Sequence, residues 1–234
     1  MAALNQDDPF DVSAIDELNE ILRKKCPHLS LFYEKKPSLR GKYTRRIGFY
    51  YNKTVGDVEY KDVEASYIEL DANLQNEITI QYSSTLEEDE HNIKFKQRKL
   101  NLCLRLLAGM IAAKEGVGLR SVAVSPITLY TMVKYFDCTI QKERGVNDDT
   151  AQCRTLADCK TFMKQAEEDD PANDDYMGQA DSISIKTSVP NYEDMLGKLT
   201  KVINTGLDCL GLGGTRKRRY RKMRNRRSRR WVGW

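Results

Sequence analysis

The chain has 234 residues, 40% of them apolar and 31% charged, which is enough apolar material for a buried core and excludes a wholly disordered protein. Its 38 Lys+Arg and 34 Asp+Glu give a net charge of +4, but eleven of the basic residues fall between 216 and 230 with no acid among them. Without those eleven, 27 basic residues face 34 acidic ones, so an acidic body of charge −7 carries a cationic tail, and the partner to look for is polyanionic.

Residues 1–10 read as a flexible, acidic start. Met1–Pro9 holds Asp7 and Asp8 but no basic stretch and no apolar core, so it lacks the pattern of a secretory signal and the expected location is intracellular. Asp11 or Ser13 can cap a helix in which Ile15, Leu18, Ile21 and Leu22 recur at three- and four-residue spacing, ending before Pro27. Asp16, Glu17 and Glu20 lie early in it and Arg23, Lys24 and Lys25 late, which suits the helix dipole. From Lys42 to Ser84 the period changes to two. Ile47, Phe49 and Tyr51 alternate, 52–57 supplies turn chemistry, Val58–Tyr60 resumes an extended pattern, and Tyr67, Ile68 and Leu70, then Ile78, Ile80 and Tyr82, follow. These predict three or four antiparallel strands with aromatic residues packed on one face.

Four acids, Glu87–Glu90, precede a helix predicted over Lys94–Ala113 and ended by Gly116 and Gly118. Leu100, Cys103, Leu104, Leu107 and Ile111 form its stripe, and Leu102, Leu106 and Met110 widen it until most of the circumference is apolar, as a central core helix requires. This is also the longest apolar run, and Asn101 and Arg105 break it well short of the roughly 18 residues that span a membrane. Lys94, Lys96, Arg98 and Lys99 form a second basic cluster. A short strand is expected over Leu119–Val124, then a helix capped by Ser125 with Pro126 first and Ile127, Leu129, Tyr130, Val133 and Phe136 along it. Thr150 can cap the next helix, whose buried side holds Cys153, Leu156, Cys159, Phe162 and Met163. An acidic connector spans 167–181, Ile183 and Ile185 suggest a strand, and a last amphipathic helix from Asn191 carries Met195, Leu199, Val202, Ile203, Leu207 and Leu210 to a hinge at Gly211–Gly214. The predicted fold class is α+β: a small antiparallel sheet packed with about five helices in a body of residues 11–212, followed by a disordered Arg-rich tail, 213–234.

Enzymatic signatures are missing from the sequence. Cys26, Cys103, Cys138, Cys153, Cys159 and Cys209 contain no C-x-x-C pair and are expected as reduced, packed thiols; His28 and His91 are too few to build a zinc site, and no cofactor is expected. Gly211-Leu-Gly-Gly214 follows a helix rather than a strand, so it is not a dinucleotide fingerprint. Asp57, Glu59 and Lys61 come nearest to a metal-dependent nuclease set, and strand-surface charge accounts for them more cheaply.

The tail is the specific signal. Arg216, Lys217, Arg218, Arg219, Arg221, Lys222, Arg224, Arg226, Arg227, Arg229 and Arg230 repel one another in isolation and are suited to phosphate, with arginine, the dominant type, able to make bidentate contacts. Tyr220, Trp231 and Trp234 add planes on which unpaired bases stack. The expected partner is the phosphate backbone of RNA or DNA, bound largely without sequence specificity. Two other readings stand beside it: a nuclear import signal bound by an import receptor, and an interfacial segment that places its tryptophans at the headgroups of an anionic membrane. The acidic connector, or Glu87–Glu90, is a candidate to compete with nucleic acid for the tail. An assembly body with an arginine-rich tail resembles viral nucleocapsid and capsid proteins, and the resemblance implies a non-enzymatic structural protein of the virion or nucleus; the 191–210 helix, beside the hinge, is a candidate surface for a homo-oligomer, with a core helix the simpler reading.

Overall fold

The computed structural model describes residues 13–37, 43–55, 58–71, 77–86, 95, 99–122, 125–142, 153–168 and 183–207. In chain order the elements are α1 (Ser13–Lys25), β1 (Leu29–Pro37), β2 (Tyr43–Val55), β3 (Val58–Asp71), β4 (Glu77–Thr85), α2 (Leu100–Glu115), β5 (Gly118–Val122), α3 (Pro126–Tyr135), β6 (Cys138–Lys142), α4 (Leu156–Glu168), β7 (Ile183–Thr187) and α5 (Tyr192–Gly206). The expected α1, α3 and α5 are present, and two of their caps are made as the sequence implies. Ser125 Oγ accepts from Thr128 N at 3.2 Å, and Asn191 Oδ1 accepts from Asp194 N at 2.9 Å. Helix α4 starts later than expected, at a capping box in which Thr155 and Asp158 each accept the other's backbone N–H, at 3.2 and 2.8 Å; Thr150 lies outside the described residues. Gly116, at φ 68°, closes α2 by donating to the carbonyls of Ala112 and Ala113.

The sheet corrects the expectation of a small antiparallel one. Among the described residues it has seven strands in the order β1-β2-β3-β4-β5-β7-β6, and it is mixed, because β5 runs parallel to β4. Strands β1 and β6 were not expected. Strand β1 alternates Leu29, Leu31 and Tyr33, which lie opposite Tyr51, Phe49 and Ile47 of β2. Segments 58–60 and 67–70, expected as separate strands, are two parts of the continuous β3, which passes through Asp62 at positive φ while Asn52 Oδ1 accepts the Asp62 N–H at 2.7 Å. The parallel pair exists because α2 carries the chain back over the sheet between β4 and β5, the kind of crossover that parallel strands require.

The helices gather on one side. From Cys103 to Ala112 every residue of α2 is buried, against β2 to β5 beneath it and against α1 and α5. Ile47, Phe49, Ile68, Leu70, Ile78, Ile80, Leu119 and Ile185 supply the sheet's contribution to the same core. A Cβ on Gly109 would lie 2.8 Å from the Phe136 ring and 3.1 Å from Met195 Sδ, so the absence of a side chain there lets α3 and α5 close on α2. Helix α4 packs on α3 through Phe162 and Met163. Cys103, Cys138, Cys153 and Cys159 are buried thiols as expected, whereas Cys26 at the end of α1 is disulfide-bonded, which corrects the expectation of reduced thiols throughout; Cys209 lies outside the described residues. Burial pushes the Cys103 thiol up to about 12, so it stays protonated and inert.

Gly48 gives the sheet its tightest constraint. A Cβ there would meet the Phe32 ring at 2.4 Å and the Ser66 carbonyl oxygen at 2.6 Å, because Phe32 lies flat across β2. Backbone cannot yield as a flexible side chain does, so Gly48→Ala is expected to cost about 1–3 kcal/mol, read as a lower urea midpoint with an unchanged slope. A variant as stable as wild type would show that Phe32 can leave its place without loss.

Candidate nucleic-acid interface

The fourteen residues from Arg216 to Trp234 singled out by the sequence lie outside the described residues, as do the hinge at 211–214, Glu87–Glu90, most of the acidic connector, and Lys94, Lys96 and Arg98. Lys99 is described. It stands exposed in the left-handed region, φ 61°, immediately before α2. Of the nuclease-like set, Asp57 is outside, while Glu59 and Lys61 are exposed on β3. Among the described residues no group of three or more His, Cys, Asp or Glu is arranged to hold a metal, and no helix is long and apolar enough to cross a membrane.

The described body contributes a surface instead. Because the helices share one face of the sheet, strand residues of the opposite parity turn away from them. Register places Phe32 of β1 opposite Gly48 of β2, Gly48 opposite Tyr67 of β3, and Tyr82 of β4 opposite Glu69 of β3. The result is a row of planar groups. Phe32 and Tyr50 stack with centroids 4.3 Å apart, the Arg46 guanidinium lies 3.5 Å over the Tyr67 ring and 5.9 Å from Phe32, and Tyr67 leans on Tyr82 at 5.7 Å. Phe32 is buried, Tyr50 and Tyr67 are half-buried, and Tyr82 ends the row 53% exposed.

Charges hold this row in place. Arg46 donates to Glu64 at 2.6 Å and faces Glu69 at 3.9 Å, while Tyr50 OH donates to Glu34 at 3.2 Å. Burial lowers the Arg46 pKa, but its hydrogen bond with Tyr67 and the charge of Glu64 outweigh that and leave it above the ordinary value. Burial raises Tyr67 and Tyr50, so both phenols stay neutral through the physiological range. Farther across the same face Arg120 and Lys186 stand directly opposite each other and share one carboxylate, Glu77, at 3.5 and 3.6 Å. Arg46 Nε and Arg120 Nε have no hydrogen-bond partner among the described residues.

A second feature lies on the helix side. Arg105 is buried in α2 with no carboxylate beside it among the described residues. Its Nε donates to Asn101 Oδ1 at 2.8 Å, and its terminal nitrogens donate to Ser121 Oγ at 2.9 Å and Ser83 Oγ at 3.0 Å. Burial pulls its pKa down to about 10. Because the folded value lies below the unfolded one, this base opposes folding below about pH 10, and the penalty fades as the pH rises toward the unfolded value. Arg105→Met, which keeps the length and removes the charge, is therefore expected to be at least as stable as wild type within about 1 kcal/mol in urea at pH 7. A loss of several kcal/mol would mean that an anion compensates the guanidinium in the folded protein. No protein-family model matches the chain, and no curated protein matches it.

Proposed function

We propose that the chain is a non-enzymatic, structural nucleic-acid-binding protein in which the Arg-rich segment from Arg216 to Arg230 neutralises phosphate and the folded body makes protein contacts. The observation that carries this reading is the division of charge: a body of −7 joined to fifteen residues that hold eleven positive charges and no acid. An acidic body supplies no long-range attraction to nucleic acid, so the salt-dependent part of the affinity resides in the tail. Packaging of a genome, after the manner of a nucleocapsid, is the finer form of the proposal. The test compares the full chain with a version ending at Gly213 against RNA, duplex DNA and anionic vesicles at two salt concentrations. With about seven phosphates engaged on a single strand, affinity falls roughly a thousandfold between 50 and 200 mM salt, and truncation removes binding. Vesicle binding that survives salt and depends on Trp231 and Trp234 would replace this reading with a matrix-type one. Loss of nuclear entry alone would reduce the tail to an import signal.

A second reading is favoured by the parallel pair. In open α/β sheets ligands collect beyond the carboxyl ends of the parallel strands, where helices begin. Here α2 begins with no side-chain cap and no acid in its first turn, and Arg105 sits beneath the ends of β4 and β5, bonded to Ser83 and Ser121. A helix start without a side-chain cap and a guanidinium with no carboxylate beside it among the described residues suit a phosphate-bearing small molecule. On this reading inorganic pyrophosphate or an ADP-containing cofactor raises the melting temperature of the full chain, and Arg105→Met abolishes the rise. A panel of such compounds that leaves the melting temperature unchanged removes it.

A further inference from the structure

We infer that the face of the sheet that no described helix covers is a platform for unpaired bases, with Tyr82 and Tyr67 stacking on them and the Arg120–Lys186 pair meeting the adjoining phosphate. The inference rests on the nucleic-acid reading above and assigns to the body a share of the binding that the tail alone does not supply.

The row of planar groups is built rather than incidental. Phe32 needs the vacant position at Gly48 to lie flat, and Arg46 is fixed between Tyr67 and Phe32 by carboxylates on two positions of β3. Side chains fixed this way are ordered before any ligand arrives, so little rotamer freedom is lost on binding. Tyr82 closes the row with its ring 53% exposed, and it is the largest of the exposed aromatic surfaces among the described residues. An exposed ring braced at a 37° tilt by a second ring offers a face on which a base stacks, and neighbouring strands spread successive bases along the sheet.

Charge then selects the occupant. Around the aromatic row, Glu34, Glu64 and Glu69 are engaged by Tyr50 and Arg46, so the row presents faces rather than free charge. On β5 and β7 two cations in direct opposition share one carboxylate, both at the long end of ion-pair distance, while Asp71, opposite Thr79 on the same face, accepts from Gln81 at 3.4 Å. Thr79, opposite Arg120, is three residues from Tyr82 along β4, so the level of the cation pair lies about 10 Å along the strand from the ring, one and two strands to its side. A base on Tyr82 and a phosphate beside Arg120 and Lys186 thus fall within one short stretch of strand. Duplexes hide their base faces in the stack, so the complementary ligand is single-stranded.

The test uses the full chain with fluorescent oligo(U) and oligo(dT) of about twenty nucleotides and a duplex of equal length, followed by anisotropy at fixed salt, with light scattering on each variant. Tyr82 is exposed, so Tyr82→Ala keeps the fold, and Tyr82→Trp provides the conservative rescue. Tyr82→Ala is expected to weaken single-strand binding about five- to a hundredfold and duplex binding less than about twofold, while Tyr82→Trp restores it. Lys186→Gln lowers the salt slope by about 0.7, the share of one phosphate contact. The relative affinity for oligo(U) and oligo(dT) tells whether ribose is preferred. If Tyr82→Ala binds single strands as wild type does while ending the chain at Gly213 abolishes binding, the tail reading stands and the platform is overturned. A full chain that binds no oligonucleotide overturns both, and a change of oligomeric state in Tyr82→Ala without a change in binding assigns the face to a second copy of the protein instead.

Discussion

The enclosure of α2 is the constraint on which the rest of the body depends. Ten successive residues, Cys103 to Ala112, are buried, so the helix has no solvent side to orient it and is held by neighbours all round. Each fully buried Leu, Ile or Met along it contributes about 1.5–3 kcal/mol, and Ala108, Gly109 and Ala112 are small enough for flanking helices to approach. One consequence is the position of Arg105, the single charged residue of the enclosed stretch, whose donors are met among the described residues by Asn101, Ser83 and Ser121 and by no acid. Another is the one-sidedness of the molecule. With α1, α3 and α5 gathered around α2 and α4 packed on α3, no described helix is left for the far face of the sheet.

Much of this was legible in the amino-acid sequence, and what was missed has a physical pattern. Helices were readable because spacing, caps and terminators are local: Ile15 to Leu22, Ser125 with Pro126, and Asn191 with the Met195-to-Leu207 stripe each carry their own signal. Strand β1 was missed because its apolar alternation gives way after Tyr33 to Glu34, Lys35 and Lys36, and β6 because it has five residues with little but Ile140 to mark it. Parallel pairing of β4 with β5 joins residues some forty apart, and nothing local announces it. The same holds for the aromatic row. Phe32, Arg46, Tyr67 and Tyr82 sit on four strands, and only register makes them neighbours. The tail is the opposite case, since its message is pure composition.

Electrostatics divides the protein into two kinds of surface. In the body, carboxylates and cations on the sheet are interleaved, so that Glu64 and Glu69 hold Arg46 while Glu77 holds both Arg120 and Lys186. Such pairs add little to stability individually, but they set the orientation of the groups between them. In the tail no acid interleaves the cations at all. On the proposed reading the first surface contributes geometry and the second contributes long-range attraction, and salt acts mainly on the second.

The parallel junction also bears on how the chain folds. Strands β1 to β4 form an antiparallel meander whose pairings are each local, whereas β5, β7 and β6 attach to it only through four residue pairs, Glu77–Ile80 with Gly118–Ser121. That seam joins residues some forty apart across α2, which makes its closure the non-local step of the sheet's assembly. The meander is then the early unit and the three-strand edge the late one, and the free strand edge at β4 is the surface most open to mispairing while the helix is still unplaced.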